Sequence, residues 1–124
     1  MAGVENALKE AMTIEGALGA ALVDIGSGMT LGSLGHANDL DLTLAAAGST
    51  DVVRATLRAA ELQGRAGETM EDILTTLTRQ YHLARPLTGP GGQGLFLYLV
   101  LDRARANLAM ARHHIQRIEG ELTI

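Results

Sequence analysis

No cysteine occurs among the 124 residues, which removes disulfides, thiolate nucleophiles and cysteine-type zinc sites and fits a reducing compartment. Aromatic side chains are nearly absent as well. Two tyrosines, one phenylalanine and no tryptophan leave almost nothing to stack on nucleic-acid bases. The formal charge of −4 gives no electrostatic ground for binding a phosphate backbone, so no nucleic-acid partner is expected. The opening stretch MAGVENALKEAM lacks the basic segment and apolar core of a secretory leader, and the apolar run Leu95–Leu101 is far too short to cross a bilayer. The expectation is a cytoplasmic protein without membrane insertion. Linkers, internal repeats and low-complexity tracts are missing too. With 47% hydrophobic and 19% charged residues, the chain has an ordinary globular composition, enough for a core without metals or cross-links, and reads as a single domain over 1–124.

What is present is best seen from the C-terminal stretch GLFLYLVLDRARANLAMARHHIQRI. Leu95–Leu101 has the composition of a strand covered on both faces. The period then changes: Ala104, Leu108, Ala111, Ile115 and Ile118 recur at steps of four and three, the apolar stripe of a helix, leaving Arg103, Arg105, Arg112, His113 and Arg117 mostly for its other sides. A central strand is thus followed by a helix lying back across its sheet. Earlier in the chain, Val4, Leu8, Ala11 and Met12 mark a short amphipathic helix over about 3–13, which Gly16 ends. Ala17–Asp24 reads as a strand, IGSG at 25–28 as a hairpin turn with glycine at positive φ, and Met29–Leu34 as the returning strand.

Asn38 or Asp39 can cap a long helix reaching Gln63, with Gly48-Ser49 as a bend within it. Leu40, Leu42, Leu44, Ala45–Ala47, Val52, Val53, Leu57, Ala60 and Leu62 spread apolar groups over far more than one stripe, so one sheet covers only part of this helix. A partner helix is the economical cover, because the small residues Ala45–Ser49 let two axes approach closely. Glu71–Thr78 and Tyr81–Leu87 alternate as strands joined at Arg79-Gln80, Pro86 marking an edge or an end, and GPGGQG at 89–94 is a loop into the last strand. The order is α-β-β-α-β-β-β-α, with a five-stranded, mainly antiparallel sheet.

Catalytic motifs fail on arrangement. GPGGQG enters a strand and has no lysine near it, whereas a phosphate-binding loop leads into a helix and ends in Lys-Ser/Thr. GSGMTLG lacks the helix and the acidic residue of a dinucleotide fingerprint. His113 and His114 point about 100° apart on a helix and do not converge on one ion with His36 or His82, so no metal is expected. His82 alternates with Tyr81 and Leu83 and reads equally as an inner or a surface histidine. Ser27 or Ser33, His36 and Asp39 supply the residue types of a hydrolytic triad without the nucleophile-elbow pattern. Arg103, Arg105, Arg112 and Arg117 lack aromatic interleaving and read as a solvated helix side, with Asp102 capping that helix or pairing with one of them. The chain is therefore expected not to be an enzyme and to need no cofactor.

Three stretches are similar to a known family: EGALGAALVD with SGMTLGSL at 15–34, DILTTLTRQYHLARPL at 72–87, and GLFLYLVLDRARANLAMARHHIQRIE at 94–119. Together they make the chain resemble, over about 3–119, the roadblock (dynein light chain) domain in its bacterial form. It departs in the first hairpin, where many members carry an acidic turn and this chain has IGSG. The resemblance implies a profilin-like three-layer α/β sandwich that homodimerises, with long central helices antiparallel and third strands joining two sheets. For this chain it places Ala45, Ala46, Ser49, Val53 and Leu57 in the dimer interface. It also implies a platform for a small Ras-like GTPase, whose nucleotide state or location it regulates, with Asp51, Arg54, Arg58 and Glu61 as contact residues. The alternative is a scaffold subunit of a larger signalling or motility complex that meets no GTPase.

Overall fold

The structure, a computed structural model, describes residues 3–35, 41–64, 67–89 and 92–123. Its elements run α1 (Val4–Ala11), β1 (Ala17–Asp24), β2 (Thr30–Gly35), α2 (Leu42–Leu62), β3 (Ile73–Thr76), β4 (Gln80–Pro86), β5 (Leu95–Asp102) and α3 (Leu108–Glu121). The strands form one sheet in the order β2-β1-β5-β4-β3, and every neighbouring pair is antiparallel. The expected element order and five-stranded sheet are both present.

The seven-residue apolar run explains the centre of the sheet. β5 is hydrogen-bonded on both edges and covered on both faces, so Leu95 to Leu101 are all buried. Its odd-numbered side chains, Leu97, Leu99 and Leu101, meet Leu8 and Ala11 of α1 and Ala111, Ile115 and Ile118 of α3. Its even-numbered ones, Phe96, Tyr98 and Val100, meet Ala46 and Val53 of α2. The molecule therefore has three layers, α1 and α3 on one face of the sheet and α2 on the other.

The stripe predicted for the last helix holds from Leu108 onward, but Ala104 lies before it. The Asp102 carbonyl accepts from the amides of Arg105 and Ala106 and closes a turn, and the Asn107 side chain caps the helix by accepting from the Met110 amide. Asp102 caps only that turn, through Oδ1 and the Ala104 amide. Gly16, at φ +86°, sits where an added Cβ would lie 3.0 Å from the Ala106 backbone nitrogen, so only glycine lets the chain pass between α1 and this turn. β3 is four residues, shorter than the expected 71–78, and β2 at the opposite edge carries a bulge at its step past Leu31, which blunts that edge of the sheet.

One carboxylate fastens the β4–β5 connection to α3. Glu119 accepts from Arg85 Nε at 2.6 Å and from the amides of Thr88 and Gly89 at 2.7 and 3.4 Å, so loop amides that glycine-rich sequence leaves free for an anion are already engaged. Burial pushes the Glu119 carboxyl up, but the Thr88 amide, Arg85 and the Gly89 amide outweigh it and hold its pKa below the ordinary value. With a folded pKa below the unfolded one, this stabilisation is complete above the unfolded value near 4.5 and is lost as pH falls through the folded value. Glu119→Gln is expected to lower stability at neutral pH and to flatten the acid limb of a urea-midpoint-against-pH profile. An unchanged acid limb would assign that titration elsewhere.

Candidate functional site

α2 is an unbroken 21-residue helix that runs through Gly48 and Ser49. Asp41 caps it, its side chain accepting from the Leu44 amide, while the expected caps Asn38 and Asp39 lie outside the described residues, as does Leu40. Past its end stands Gly64 at φ +74°, a conformation that glycine adopts at helix ends without Cβ strain. Ala46, Thr50 and Val53 face the sheet and are buried, flanked by half-buried Leu42, Ala45, Ser49 and Leu57. The Thr50 hydroxyl donates to the Ala46 carbonyl at 2.8 Å, which satisfies it inside the core.

This corrects part of the interface assignment. Ala46 and Val53 are each 0% exposed against Ala21, Val23, Phe96 and Tyr98, and have no surface to give a second chain. Ala45, Ser49 and Leu57 lie on the flanks of the same stripe. The solvent side carries a second apolar stripe that the sequence pattern does not separate from the first: Leu44, Gly48, Val52, Ala55, Ala59 and Leu62, at steps of four, four, three, four and three. Leu44, Val52 and Leu62 are 70%, 45% and 78% exposed. Two stripes on one helix mean two things to cover, and the sheet covers one.

The four polar residues placed on this helix differ in freedom. Asp51, Arg54 and Arg58 border one shallow depression with Ala55, Ala59 and Leu62, and exposed Glu61 lies outside it. Arg54 is tied down: Nε and Nη2 donate to the carbonyls of Ile25 and Gly26, each at 2.7 Å, and Nη1 lies 3.6 Å from Asp51. It clamps the β1–β2 turn, which Ser27 also braces by donating its hydroxyl to Asp24 at 2.6 Å. That Ser27 bond, with the turn amides and Arg54, holds the Asp24 carboxyl below its usual pKa against the opposing effect of desolvation. Arg58 makes no hydrogen bond or ion pair among the described residues.

Beside α2 the same sheet face continues with less cover, because the helix lies over β1 and β2 and reaches β4 only in part. The cross-strand partners Thr75, His82 and Val100, and Ile73, Ala84 and Tyr98, share that face. Tyr98 is buried, with its hydroxyl 2.6 Å from His82 Nδ1, and the two rings meet edge-on at 5.6 Å. The other imidazole nitrogen is 2.9 Å from Gln80 Oε1. Burial lowers the His82 pKa and raises that of Tyr98.

The remaining motif residues are dispersed. Ser27 is committed to its turn, Ser33 is exposed on β2, and His36 and Asp39 lie outside the described residues. His113 is exposed, and His114 lies 3.5 Å from Glu10. Among the described residues no three His, Cys, Asp or Glu side chains converge to hold a metal ion. Arg112 pairs with Asp72 through two hydrogen bonds, Arg103 covers Tyr81 while donating to the Leu77 carbonyl, Arg117 approaches Glu10 at 3.8 Å, and Arg105 is exposed. No described helix is long and apolar enough to cross a membrane.

Solved structures superpose on nearly the whole chain. MglB with a tetrameric arrangement matches at a TM-score of 0.78 and 23% identity, over 94% of this chain and 82% of that one. A roadblock/LC7 domain from Streptomyces avermitilis matches at 0.74 and 13%, over 96% and 93%. The chain has the roadblock fold. The gliding protein MglB from Thermus thermophilus, at 0.69 and 23% over 95% and 89%, extends the roadblock likeness. No protein-family model matches the sequence, and none of the curated proteins does. The roadblock fold read from three short stretches is thus supported by three-dimensional form at identities too low for the sequence to carry alone.

Proposed function

We propose that this chain is a non-catalytic adaptor that pairs with a second copy through α2, and that the outer surface of the paired helices holds a small Ras-like GTPase and sets its nucleotide state or location. The observation that carries the reading is the solvent-facing stripe Leu44, Gly48, Val52, Ala55, Ala59 and Leu62, beside a partly uncovered sheet face. Small residues at its middle permit close axis-to-axis approach, and larger ones at its ends fill the splay between antiparallel helices. The tetrameric arrangement of one MglB supports the capacity of this fold for self-association. β3, an edge strand with no charged side chain, is suited to join two sheets.

Asp51 and Arg58 border that stripe on its polar flank and serve as contact residues at the rim of the pair, with exposed Glu61 beyond them. Arg58 is also the better placed of the two candidate arginines to reach a partner, since Arg54 holds its own turn. Such an adaptor acts by binding one nucleotide state more tightly than the other; equal affinity for both would anchor the GTPase without shifting it. A pull-down with the tagged full chain, run in GDP and in a non-hydrolysable GTP analogue, tests this. A Ras-like GTPase is expected preferentially with one nucleotide, and Arg58→Glu is expected to reduce its capture about tenfold, as loss of an interfacial charge pair does. The same non-GTPase partners under both conditions would replace this reading with the scaffold alternative.

A further inference from the structure

Most cations of the chain are occupied within it. Arg85 and Arg112 pair with carboxylates, Arg117 and Lys9 lie against Glu10 and Glu5, and Arg54 holds the first hairpin. Apart from Arg58 on α2, the arginines whose side chains make no hydrogen bond or ion pair among the described residues are Arg79 and Arg105, both exposed. They stand on two turns that the fold fastens together at one end of the sheet. The Leu77 amide donates to the Gln80 carbonyl and closes the β3–β4 turn, the Arg103 amide donates to the Arg79 carbonyl at 3.0 Å, and the Arg105 amide donates to the Asp102 carbonyl. Arg103 completes the group. Its guanidinium lies 5.2 Å from the centre of the Tyr81 ring while Nη1 donates to the Leu77 carbonyl at 2.8 Å, which fixes the fork and leaves Nε and Nη2 without a partner among the described residues. Thr78, Arg79, Asp102, Arg103 and Ala104 line one shallow depression between the turns. Asp102 is the only carboxylate among the residues that line it, and its Oδ1 is engaged by the Ala104 amide. Glu15, brought to this end because the Gly16 carbonyl accepts from the Asp102 amide, lines a separate depression with Asn107 and Met110. Beside the arginines, Leu77 is 45% exposed.

We propose that this end of the sheet binds an acidic segment of a partner protein, an extended stretch whose carboxylates are taken by Arg79, Arg103 and Arg105 and whose apolar side chain covers Leu77. Charge complementarity carries the assignment: Arg79, Arg103 and Arg105 gather around one engaged carboxylate, in a chain whose formal charge is −4. Guanidinium forks match carboxylates through two parallel hydrogen bonds, and the Arg103 fork, held in advance by Tyr81 and the Leu77 carbonyl, loses less freedom on binding than an untethered one. Membranes and nucleic acids suit the surface less well. Both are extended polyanions that an acidic chain repels as a whole, and a lipid-binding basic cluster has about four to eight cations. A short segment with a few carboxylates and one apolar residue matches what is there. The surface is built on turns at the strand ends, to which α2 contributes nothing, so it is independent of pairing through that helix and of a GTPase held on it.

Fluorescence anisotropy with the full chain tests this, the probe being a labelled pentapeptide of leucine flanked on each side by two glutamates, against the same peptide with glutamine for glutamate. The acidic peptide is expected to bind the wild type, several-fold more weakly as salt rises from about 0.05 M to about 0.3 M. Arg79→Glu combined with Arg105→Glu is expected to weaken it at least about tenfold. Lys9→Glu combined with Arg117→Glu changes the net charge by the same amount on α1 and α3, and is expected to bind as the wild type does. Equal binding of the glutamine peptide, wild-type affinity in the Arg79 and Arg105 variant, or an equal loss in the Lys9 and Arg117 variant overturns the proposal. If the charge-reversed Arg79 and Arg105 variant does not fold, Arg79→Gln combined with Arg105→Gln decides: weaker binding of the acidic peptide supports the site, and unchanged binding overturns it. Tighter co-sedimentation with phosphatidylserine-containing vesicles than binding to the peptide, lost in the same variant, overturns the protein partner in favour of a membrane surface.

Discussion

Leu97→Asp is expected to yield no folded protein. Leu97 stands at the middle of the central strand, 3% exposed, with its neighbours across the ladder supplied by Leu22 of β1 and Arg85 of β4. Its side chain packs in the layer shared with α1 and α3. Truncating a buried leucine alone costs about 2–5 kcal/mol, and an unpaired carboxylate placed there adds several more unless it takes up a proton. A single domain has about 5–15 kcal/mol in total, so the two losses together reach its whole stability. Circular dichroism and a thermal melt check this, with Leu44→Asp as the companion. The same chemistry at a site 70% exposed is expected to leave a cooperative melt in place. A soluble Leu97→Asp protein that melts like the wild type would move the core elsewhere.

The difference between these positions shows what is legible in the sequence. β1 falls on its expected residues, and β5 follows from seven consecutive apolar side chains, because a strand covered on both faces admits nothing else. α3 follows from Leu108, Ala111, Ile115 and Ile118, although it starts later than its stripe indicates: the Asn107 cap sets the boundary, and Ala104 extends the pattern only because alanine suits either state. α2 is legible as a helix with too much apolar surface, but not as to which stripe turns inward. That choice depends on the opposing surface. Gly35 admits Leu42, and Ala21 and Val23 leave room for Ala46 and Val53.

Arg54 reads in the sequence as a surface residue because its local partner, Asp51, is three positions away. The carbonyls it holds, at Ile25 and Gly26, are 29 and 28 residues distant and become neighbours only when α2 lies over the hairpin. The His82–Tyr98 bond likewise spans 16 residues. Alternation indicates that each strand has two faces, while the register that sets His82 opposite Val100, one step diagonally from Tyr98, is a property of the paired strands.

Val52→Glu and Val53→Glu, identical substitutions at adjacent positions, are expected to give opposite phenotypes. Neighbouring residues on an α-helix point about 100° apart, so Val53 lies on the sheet while Val52 belongs to the outward stripe. Val53→Glu would set a carboxylate against Phe96 and Tyr98 and is expected to prevent folding by the reasoning that applies to Leu97. The carboxylate of Val52→Glu meets water in the single chain, and the substitution replaces a β-branched residue with a better helix former, so stability in urea is expected to change by less than about 0.5 kcal/mol. In the proposed pair it would bring a charge, and its symmetry mate, into a contact between small residues, and light scattering after gel filtration is expected to show a folded single chain where the wild type is paired. A paired Val52→Glu protein would remove the outer stripe from the interface. A folded, unpaired Val53→Glu protein would mean that α2 is rotated, with the interface on the stripe of Ala46 and Val53. The two variants thus separate burial against the chain's own sheet from burial against a second copy, which hydrophobicity in the sequence treats alike.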